Sequence, residues 1–338
     1  MTAAWVQAAT GASGCARERR LKPPLQAKAC STLALAFAWG ALMFGQRSTD
    51  GDIHILKVQG NVYMLVGAGG NITAQIGNSG VLLVNSGNGK MNEKVLAALR
   101  TVTDKPIHYI IDTSFDPELT GGNEGIARLG APVVGGNLGN SNHGAAIVAA
   151  ENVLTRMSAP AGQKAPTPEG AWPGVTFFEG DKEIFFNHEP VITMLTPNAH
   201  TDGDTIVFFR RSDVISTGEI FNTVSYPVIN LEAGGNINGV IDGLNHVLDL
   251  AIPEHEQEGG TYIIPGHGRL CDEHDLVEYR DMVTIIRDRV QTAIKRGMTL
   301  DQIKAAGYTK EYDPRWGSKT GSWTTDMFIE AVYKSLKK

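Results

Sequence analysis

Cysteine is scarce in this chain. Its 338 residues include three cysteines, and only Cys271 lies after residue 47. A single thiol cannot form an intrachain disulfide, so packing and hydrogen bonds must hold that part of the chain together. We expect Cys271 to be a small buried residue, although a ligand role stays open because it lies four positions after His267.

Positive charge is also scarce after residue 47. The whole chain has a formal net charge of −6, whereas its first 47 residues contain six Lys or Arg and one Glu, a net charge of +5. The remaining residues therefore carry a net charge of −11. Because so acidic a domain repels phosphate backbones, the sequence argues against nucleic acid as a partner.

Long apolar runs are limited to one, Ala29 to Gly45, near the N-terminus. It follows a basic segment that contains Arg17, Arg19, Arg20, Lys22 and Lys28. This order is typical of an export signal, and the run is near the lower limit for a membrane span. We therefore interpret residues 1–47 as an export signal or signal anchor and residues 48–338 as one domain. The protein is expected in the periplasm or outside the cell, with membrane contact only through an uncleaved N-terminal segment.

After Asp52, short apolar stretches alternate with Gly-rich turns and predict a meander of antiparallel strands. A helix should follow, because apolar residues between Met91 and Val102 recur at helical spacing. The predicted strands of this half are Ile53 to Val58, Val62 to Val66, Ile72 to Ile76, Val81 to Val84, Ile107 to Ile111 and Pro132 to Val134. Its later helices are predicted over Asn123 to Leu129 and Gly144 to Met157.

A loop with four prolines, Ser158 to Gly174, should lie on the surface over the site. A second group of strands is predicted after it: Thr176 to Phe178, Glu183 to Phe186, Val191 to Leu195, Thr205 to Phe209 and Val214 to Ser216. Further helices are predicted over Asn238 to Leu250, Asp275 to Lys295, Leu300 to Ala306 and Thr325 to Leu336. Two strand groups with helices after each predict an α/β fold built as an αββα four-layer sandwich.

The turn from Asp112 to Asn123 is the most informative stretch for function. An apolar strand precedes it, and open α/β sheets present their chemistry where a strand runs into a polar, Gly-containing turn. Ser114, Asp116 and Glu118 occupy alternate positions, so an extended backbone would point their side chains the same way. Three oxygen-bearing side chains are therefore expected to converge.

This turn resembles the metal-binding turn of the metallo-β-lactamase superfamily, His-x-His-x-Asp-His followed by Thr-Gly-Gly-Asn. Thr120-Gly-Gly-Asn123 matches the second part of that pattern residue for residue. The ligand positions differ, with Ser114, Asp116 and Leu119 at the histidine positions and Glu118 at the aspartate position. The resemblance implies the scaffold of the family without its usual dizinc site.

Later segments extend the resemblance over Asp52 to Lys338. Asn198-Ala-His-Thr-Asp-Gly-Asp-Thr205 and Pro265-Gly-His-Gly268 look like the loops that bear the next and the last histidine ligands, here His200 and His267. Two further strings are similar to family motifs but differ at one position each. Glu219 replaces the bridging aspartate in Ser216-Thr-Gly-Glu-Ile-Phe221, and Asn85 replaces a supporting aspartate in Leu83-Val-Asn-Ser-Gly87.

The site implied by this resemblance contains three carboxylates and two imidazoles, from Asp116, Glu118, Glu219, His200 and His267. Such donors suit Mn²⁺, Fe²⁺ or Mg²⁺ at least as well as Zn²⁺. We therefore expect at most one divalent ion, held by His200, His267, Asp116 and Glu219. With Asp116, Glu118 or Glu219 as acid or base, the implied activity is hydrolysis of a small ester, amide, lactone or similar molecule.

Two other functions fit the same residues. Crowded carboxylates raise one another's pKa, so an acid and base pair of the glycosidase type could act without metal. A non-catalytic binding protein with a vestigial site is the third hypothesis. It arises because Leu119 is apolar and because Glu118 and Glu219 are one methylene longer than aspartate.

A structural interpretation stands beside each functional one. Asp116 before Pro117 is a common turn pair, and Glu118 is placed to cap a following helix. Both histidines occur in Gly-containing loops, where a satisfied structural histidine is the alternative. Substrate contacts are expected from Ser114, Trp172 and Tyr226, although the two aromatic residues suit packing equally well.

The leader generates the first prediction. If residues 1–47 direct export, the mature protein should begin between about Gly45 and Asp52, because cleavage follows the apolar run. N-terminal sequencing of protein isolated from the cell envelope or the medium measures this position. An intact Met1 on protein confined to the cytosol would contradict export.

Overall fold

The structure, a computed structural model, describes residues 51–133, 144–160 and 162–337. The predicted leader, residues 1–47, and the domain boundary at residue 48 lie outside these ranges. Within them, each helix is too short or too polar to cross a lipid bilayer.

The first sheet has seven strands arranged in chain order. Strands β1 to β4 pair antiparallel, as the Gly-rich turns predict, and β4 to β7 are parallel. The strands are β1 (His54–Gln59), β2 (Val62–Val66), β3 (Ile72–Gly77), β4 (Gly80–Val84), β5 (Ile107–Ile111), β6 (Ala146–Ala150) and β7 (Val175–Phe177).

The second sheet has five strands in the order β12-β11-β10-β9-β8. Its neighbours are antiparallel except for β11 and β12, which are parallel. The strands are β8 (Asp181–Phe186), β9 (Glu189–Leu195), β10 (Thr205–Phe209), β11 (Val214–Ser216) and β12 (Tyr262–Ile264).

Helices follow each strand group at nearly the predicted positions. Asn236 caps the helix Ile237–Leu250, because its side chain accepts a hydrogen bond from the Asn238 amide. The helices are α1 (Asn92–Arg100), α2 (Pro117–Thr120), α3 (Asn123–Leu129), α4 (Glu151–Met157), α5 (Ile237–Leu250), α6 (Glu273–Lys295), α7 (Leu300–Ala306), α8 (Asp313–Trp316) and α9 (Thr325–Lys337).

The two sheets pack face to face through an apolar layer. Val84 of β4 lies in this layer together with Val207 and Phe209 of β10. Their chain neighbours Leu83 and Ile206 point to the opposite faces, as the period of two along a strand requires.

Helices cover both outer faces of the sheets. Leu83 packs in a cluster with Leu99 of α1 and Ile126 of α3. Ile206 packs in another cluster with Leu244 of α5 and Ile286 of α6. The order helix, sheet, sheet, helix confirms the predicted αββα sandwich.

The sequence interpretation was wrong over the middle of the first sheet. Residues 146–150, predicted as helix, form β6, and only Glu151–Met157 is helical. Pro132 and Val133 are not in a strand, and Val134 lies outside the described residues. The reason is that β6 lies between two parallel neighbours and is buried on both faces, so its apolar run has no alternation to distinguish it from a buried helix.

The inter-sheet layer predicts where truncation destabilises the fold. Phe209→Ala should lower the free energy of unfolding by about 3–5 kcal/mol, because Phe209 is fully buried between the sheets. Phe185→Ala is the matched control on the same sheet, where the ring is 67% exposed, and it should change stability by about 0.5 kcal/mol or less. Urea unfolding measures both. Equal losses would show that the two rings are buried alike.

Candidate active site

The site lies where the ends of three strands meet the loops of both sheets. β5 leads into the turn with Asp116 and Glu118, β11 leads to Glu219, and β12 leads to His267. His200 lies on the loop between β9 and β10. The four chain segments are thus brought together from both sheets, as the sequence predicts.

The loop between β2 and β3 fixes two of these segments. The Gly70 amide donates to the Glu118 carbonyl at 3.2 Å, and the Asn71 amide donates to the Gly266 carbonyl at 2.7 Å. The Asn71 side chain donates to the Pro265 carbonyl at 2.8 Å. One loop therefore positions both the Glu118 turn and the His267 loop.

Asn85 supports the start of the central turn. Its side-chain oxygen accepts hydrogen bonds from the amide and the hydroxyl of Thr113, both at 3.0 Å. Asn85 has φ 64, a left-handed conformation that asparagine tolerates better than most residues. The resemblance implies aspartate at this position. The side-chain oxygen of Asn85 accepts the two hydrogen bonds from Thr113 in its place.

Asp112 lies beneath the turn rather than in the site. Its Oδ2 accepts a hydrogen bond from Asn123 Nδ2 at 2.8 Å, and Asn123 in turn accepts from Ser86 Oγ at 2.7 Å. Burial raises the pKa of Asp112 well above 3.8, and the bond from Asn123 offsets that rise only in part. This network ties the strand end to helix α3.

Asp116 and His200 form the first ion pair, with 2.9 Å between Oδ2 and Nε2. The other ring nitrogen of His200 donates to the Val228 carbonyl at 2.9 Å. Because a carbonyl and a carboxylate both accept, both ring nitrogens must donate, and His200 is an imidazolium. Ser114 Oγ also donates to Asp116 Oδ2, at 2.6 Å.

The pKa shifts of this pair agree with the geometry. Burial acts to lower the pKa of His200, but the hydrogen bond to Asp116 and the charges of Asp204, Asp116 and Glu219 raise it to about 10. Burial acts to raise the pKa of Asp116, but the bonds from His200 and Ser114 and the charges of the two histidines leave it below 3.8.

Glu219 and His267 form the second ion pair, with 2.9 Å between Oε1 and Nε2. Burial acts to lower the pKa of His267, but the bond to Glu219 and the nearby carboxylates raise it. Glu118 Oε2 lies 3.9 Å from the same nitrogen. The Glu118 side chain is 62% exposed and that of Glu219 is 8% exposed, so Glu118 is the carboxylate of this group that faces solvent.

Gly218 fixes the direction of Glu219. Its φ of +52 is left-handed, and a Cβ on it would lie 2.3 Å from the Thr113 hydroxyl oxygen. Only glycine fits this close approach of the two strand ends. The glycine that precedes Glu219 in the sequence is thus required because a side chain at residue 218 would collide with Thr113.

The residues do not fit the metal centre that the resemblance implies. The expected ligands His200, His267, Asp116 and Glu219 are divided into two ion pairs, each of which joins a carboxylate oxygen to the Nε2 atom of a histidine. Leu119 offers no donor atom and is fully buried. Within the described ranges, no three His, Cys, Asp or Glu residues are arranged to hold a metal ion.

Two of the expected substrate contacts need correction. Ser114 is fully buried and orients Asp116, so it presents no surface to a ligand. Tyr226 is in the core, where its ring stacks on Phe328 with centroids 4.7 Å apart and its hydroxyl donates to Asp313 at 2.9 Å. Both side chains are used by the fold, since their polar groups already have partners.

Trp172 and Cys271 also have structural partners. The Trp172 indole nitrogen donates to the Thr167 carbonyl at 3.2 Å, and its ring packs against the inter-sheet layer. Cys271 is buried, as expected, and its thiol contacts the Arg269 carbonyl at 3.3 Å. Burial raises the pKa of this thiol, which makes it a poor nucleophile and ligand.

Asp204 is a site residue that sequence reasoning did not single out. It is almost fully buried, and it accepts hydrogen bonds from the amide and the hydroxyl of Thr201 at 2.6 and 2.9 Å. Burial raises its pKa to about 7 despite His200 and Thr201, and its charge helps to keep His200 protonated. The sequence offered one indication of this role, because Asp204 lies in the same loop as His200, four residues after the histidine.

The first ion pair predicts an unusual histidine. His200 should stay protonated until about pH 10, and Asp116→Asn should lower its pKa, because the amide has no charge to stabilise the imidazolium. The pKa is raised in the folded state, so the stability it contributes is complete below pH 6.5 and is lost as the pH rises through about 10. NMR titration of the imidazole signals measures the pKa.

Asp281→Asn, on the exposed side of α6, is the matched control and should leave the His200 signal unchanged. A wild-type His200 that titrates near 6.5 would contradict the ion pair.

Comparisons with known proteins give structural likeness only. No protein-family model matches this chain, and no curated protein matches it. The stereoselective inverting sec-alkylsulfatase Pisa1 from Pseudomonas sp. is similar at 17% identity and TM-score 0.61, over 83% of this chain and 50% of that chain. A double mutant of the sulfatase gives 15% identity and TM-score 0.62 over the same shares.

The chain thus spans half the length of the sulfatase chains that it matches. A metallo-beta-lactamase from Pontibacter korlensis is similar at 15% identity and TM-score 0.51, over 69% of this chain and 99% of that chain. Together with the two sheets and their outer helices, these likenesses show that the chain has the metallo-β-lactamase fold.

Proposed function

We propose that this protein is a hydrolase of small esters, amides or lactones in which Glu118 and His267 perform the chemistry. The observation that supports it best is the position of His267 Nε2, 2.9 Å from the buried Glu219 and 3.9 Å from the exposed Glu118. A base that faces solvent thus lies beside a charged proton donor. This is the pair of groups that hydrolysis needs.

In the proposed reaction, Glu118 accepts a proton from a water molecule while the water oxygen attacks the carbonyl carbon of the substrate. His267 gives its proton to the leaving oxygen or nitrogen as the bond to carbon breaks. Glu118 then passes the proton from water to His267, and both groups regain their starting states. Each cycle consumes one water and leaves no net proton on the protein.

Glu219 keeps the proton donor charged. Its carboxylate compensates the imidazolium of His267 and raises the pKa of that ring. Without this partner, burial would favour neutral imidazole, which has no spare proton at neutral pH. Glu219 is therefore a positioning residue, and Glu118 and His267 are the reacting groups.

The Asp116–His200 pair holds Glu118 in place. Asp116 lies immediately before α2, and its backbone carbonyl accepts hydrogen bonds from the amides of Leu119 and Thr120 at 2.9 Å. Its side chain is fixed by His200, which belongs to the other sheet. The short helix that carries Glu118 therefore depends on this ion pair.

Two considerations favour this hydrolase over the alternatives. The fold neighbours, a sulfatase and a β-lactamase, are hydrolases, which supports the reaction class. Glycosidase-type catalysis needs a protonated carboxyl group, whereas Asp116 and Glu219 each accept from a histidine. The donor set supports no step through a metal ion.

Replacement of the base is the test. Glu118→Gln should lower kcat by roughly 10²–10⁴-fold with little change in KM, because an amide cannot accept the proton from water. The rates are measured with p-nitrophenyl acetate and with a panel of amides and lactones. Glu254→Gln, in an exposed turn, is the matched control. Full activity of Glu118→Gln would contradict the mechanism.

Chelation and pH separate the remaining possibilities. Activity should survive chelation, and it should be lost as the pH rises through the raised pKa of His267, above 6.5, because the proton donor disappears. Loss on chelation with recovery by Zn²⁺, Mn²⁺ or Fe²⁺ would instead favour the single-ion site expected from the sequence. Binding of a panel compound without turnover of any would favour the non-catalytic hypothesis.

A further inference from the structure

A pocket of about 550 Å³ lies next to the Asp116–His200 pair. Phe115 and Pro117, on either side of Asp116, line it, and so does Asp202, two residues after His200. Helix α4 and the proline-containing loop complete the wall. Its volume lies within the range of about 300–1,000 Å³ that is usual for small-molecule sites.

The charged groups in the wall neutralise each other. Arg156 donates to Asp202 through Nε at 2.9 Å and through Nη2 at 2.5 Å, a two-point pair. Arg156 and Asp202 are the charged residues that line the pocket, so the wall has no net charge. A charged ligand would lose its hydration without gaining a free counter-ion. The pocket therefore suits an uncharged group.

The remaining wall favours a flat apolar group. Phe115, Pro117, Met157 and Pro166 contribute carbon surface. The guanidinium of Arg156 lies 5.6 Å from the centroid of the Phe115 ring. Phenyl rings, guanidinium planes and proline rings all stack well on aromatic groups.

We infer that this pocket sets specificity and binds the aromatic acyl group of an uncharged ester. The inference rests on the proposed function, because it takes Glu118 as the base. Pro117, which lines the pocket, directly precedes Glu118 at the start of α2. In the proposed complex the ring lies against Pro117, and the attached carbonyl group reaches from there toward the Glu118 carboxylate.

Filling the pocket tests the inference. Thr155 is an exposed lining residue of α4, so Thr155→Trp should occupy the pocket without disturbing the core. We expect it to lower kcat/KM for p-nitrophenyl phenylacetate about tenfold or more and to change that for p-nitrophenyl acetate about twofold at most. Glu151→Trp places the same side chain outside the pocket, on the same helix, and should affect neither ester. Equal effects of Thr155→Trp on both esters would overturn the inference.

Changing the charge of the wall gives a test by gain of function. Asp202→Asn should leave the charge of Arg156 uncompensated and raise kcat/KM for the anionic p-nitrophenyl succinate relative to p-nitrophenyl phenylacetate about tenfold. Circular dichroism confirms that the variant is folded. An unchanged ratio in a folded variant would show that neither ester group contacts this pair, and would overturn the inference.

A binding measurement separates the pocket from the reaction. Benzyl methyl ketone has the aromatic group but no bond that water cleaves, and calorimetry should detect its binding to wild type and to Glu118→Gln but not to Thr155→Trp. If it binds in this pattern while wild type hydrolyses no ester, the pocket stands and the proposed function fails. If wild type hydrolyses p-nitrophenyl acetate but binds no ketone, the proposed function stands and the pocket inference fails.

Discussion

A partly buried ion pair between the two sheets is the interaction on which the site depends. Asp116 follows the first sheet's β5 and His200 follows the second sheet's β9, and their side chains meet at 2.9 Å. Removal of Asp116 would leave the charge of the buried His200 ring unpaired, which is costly. Ser114 donates a second hydrogen bond to the same oxygen of Asp116, and the Val228 carbonyl accepts from the other ring nitrogen of His200. The geometry of α2, and hence of Glu118, follows from this contact.

In this site, histidine rings take the place of a metal cation in holding the carboxylates close to one another. In the related metal centres implied by the sequence, a cation would compensate such acidic groups. Here contacts with the rings of His200 and His267 do so. Leu119 fills the space against Gly70, where a Cβ would lie 2.3 Å from its methyl carbon. The substitutions are therefore consistent with one another.

The sequence predicted most of the fold, because edge and half-buried strands alternate visibly and glycines mark the turns. It missed β6, since a strand buried on both faces has no alternation. The five donor residues expected from the resemblance do lie in contact in two groups, Asp116 with His200 and Glu118 and Glu219 with His267. The sequence could not predict this pairing, because it depends on distances of a few ångströms between distant residues. Tyr226 was misassigned because its burial depends on Asp313 of α8 and Phe328 of α9, which follow 87 or more positions later in the chain.

The tie between Asn71 and Pro265 has a consequence for folding. It joins residues 194 positions apart, and the Asp116–His200 contact joins residues 84 apart. Contacts of such long sequence separation close large loops and form only when both sheets are in place. The two ion pairs are therefore completed late, after the sandwich has assembled, and partly folded chains would lack them even where their secondary structure is complete.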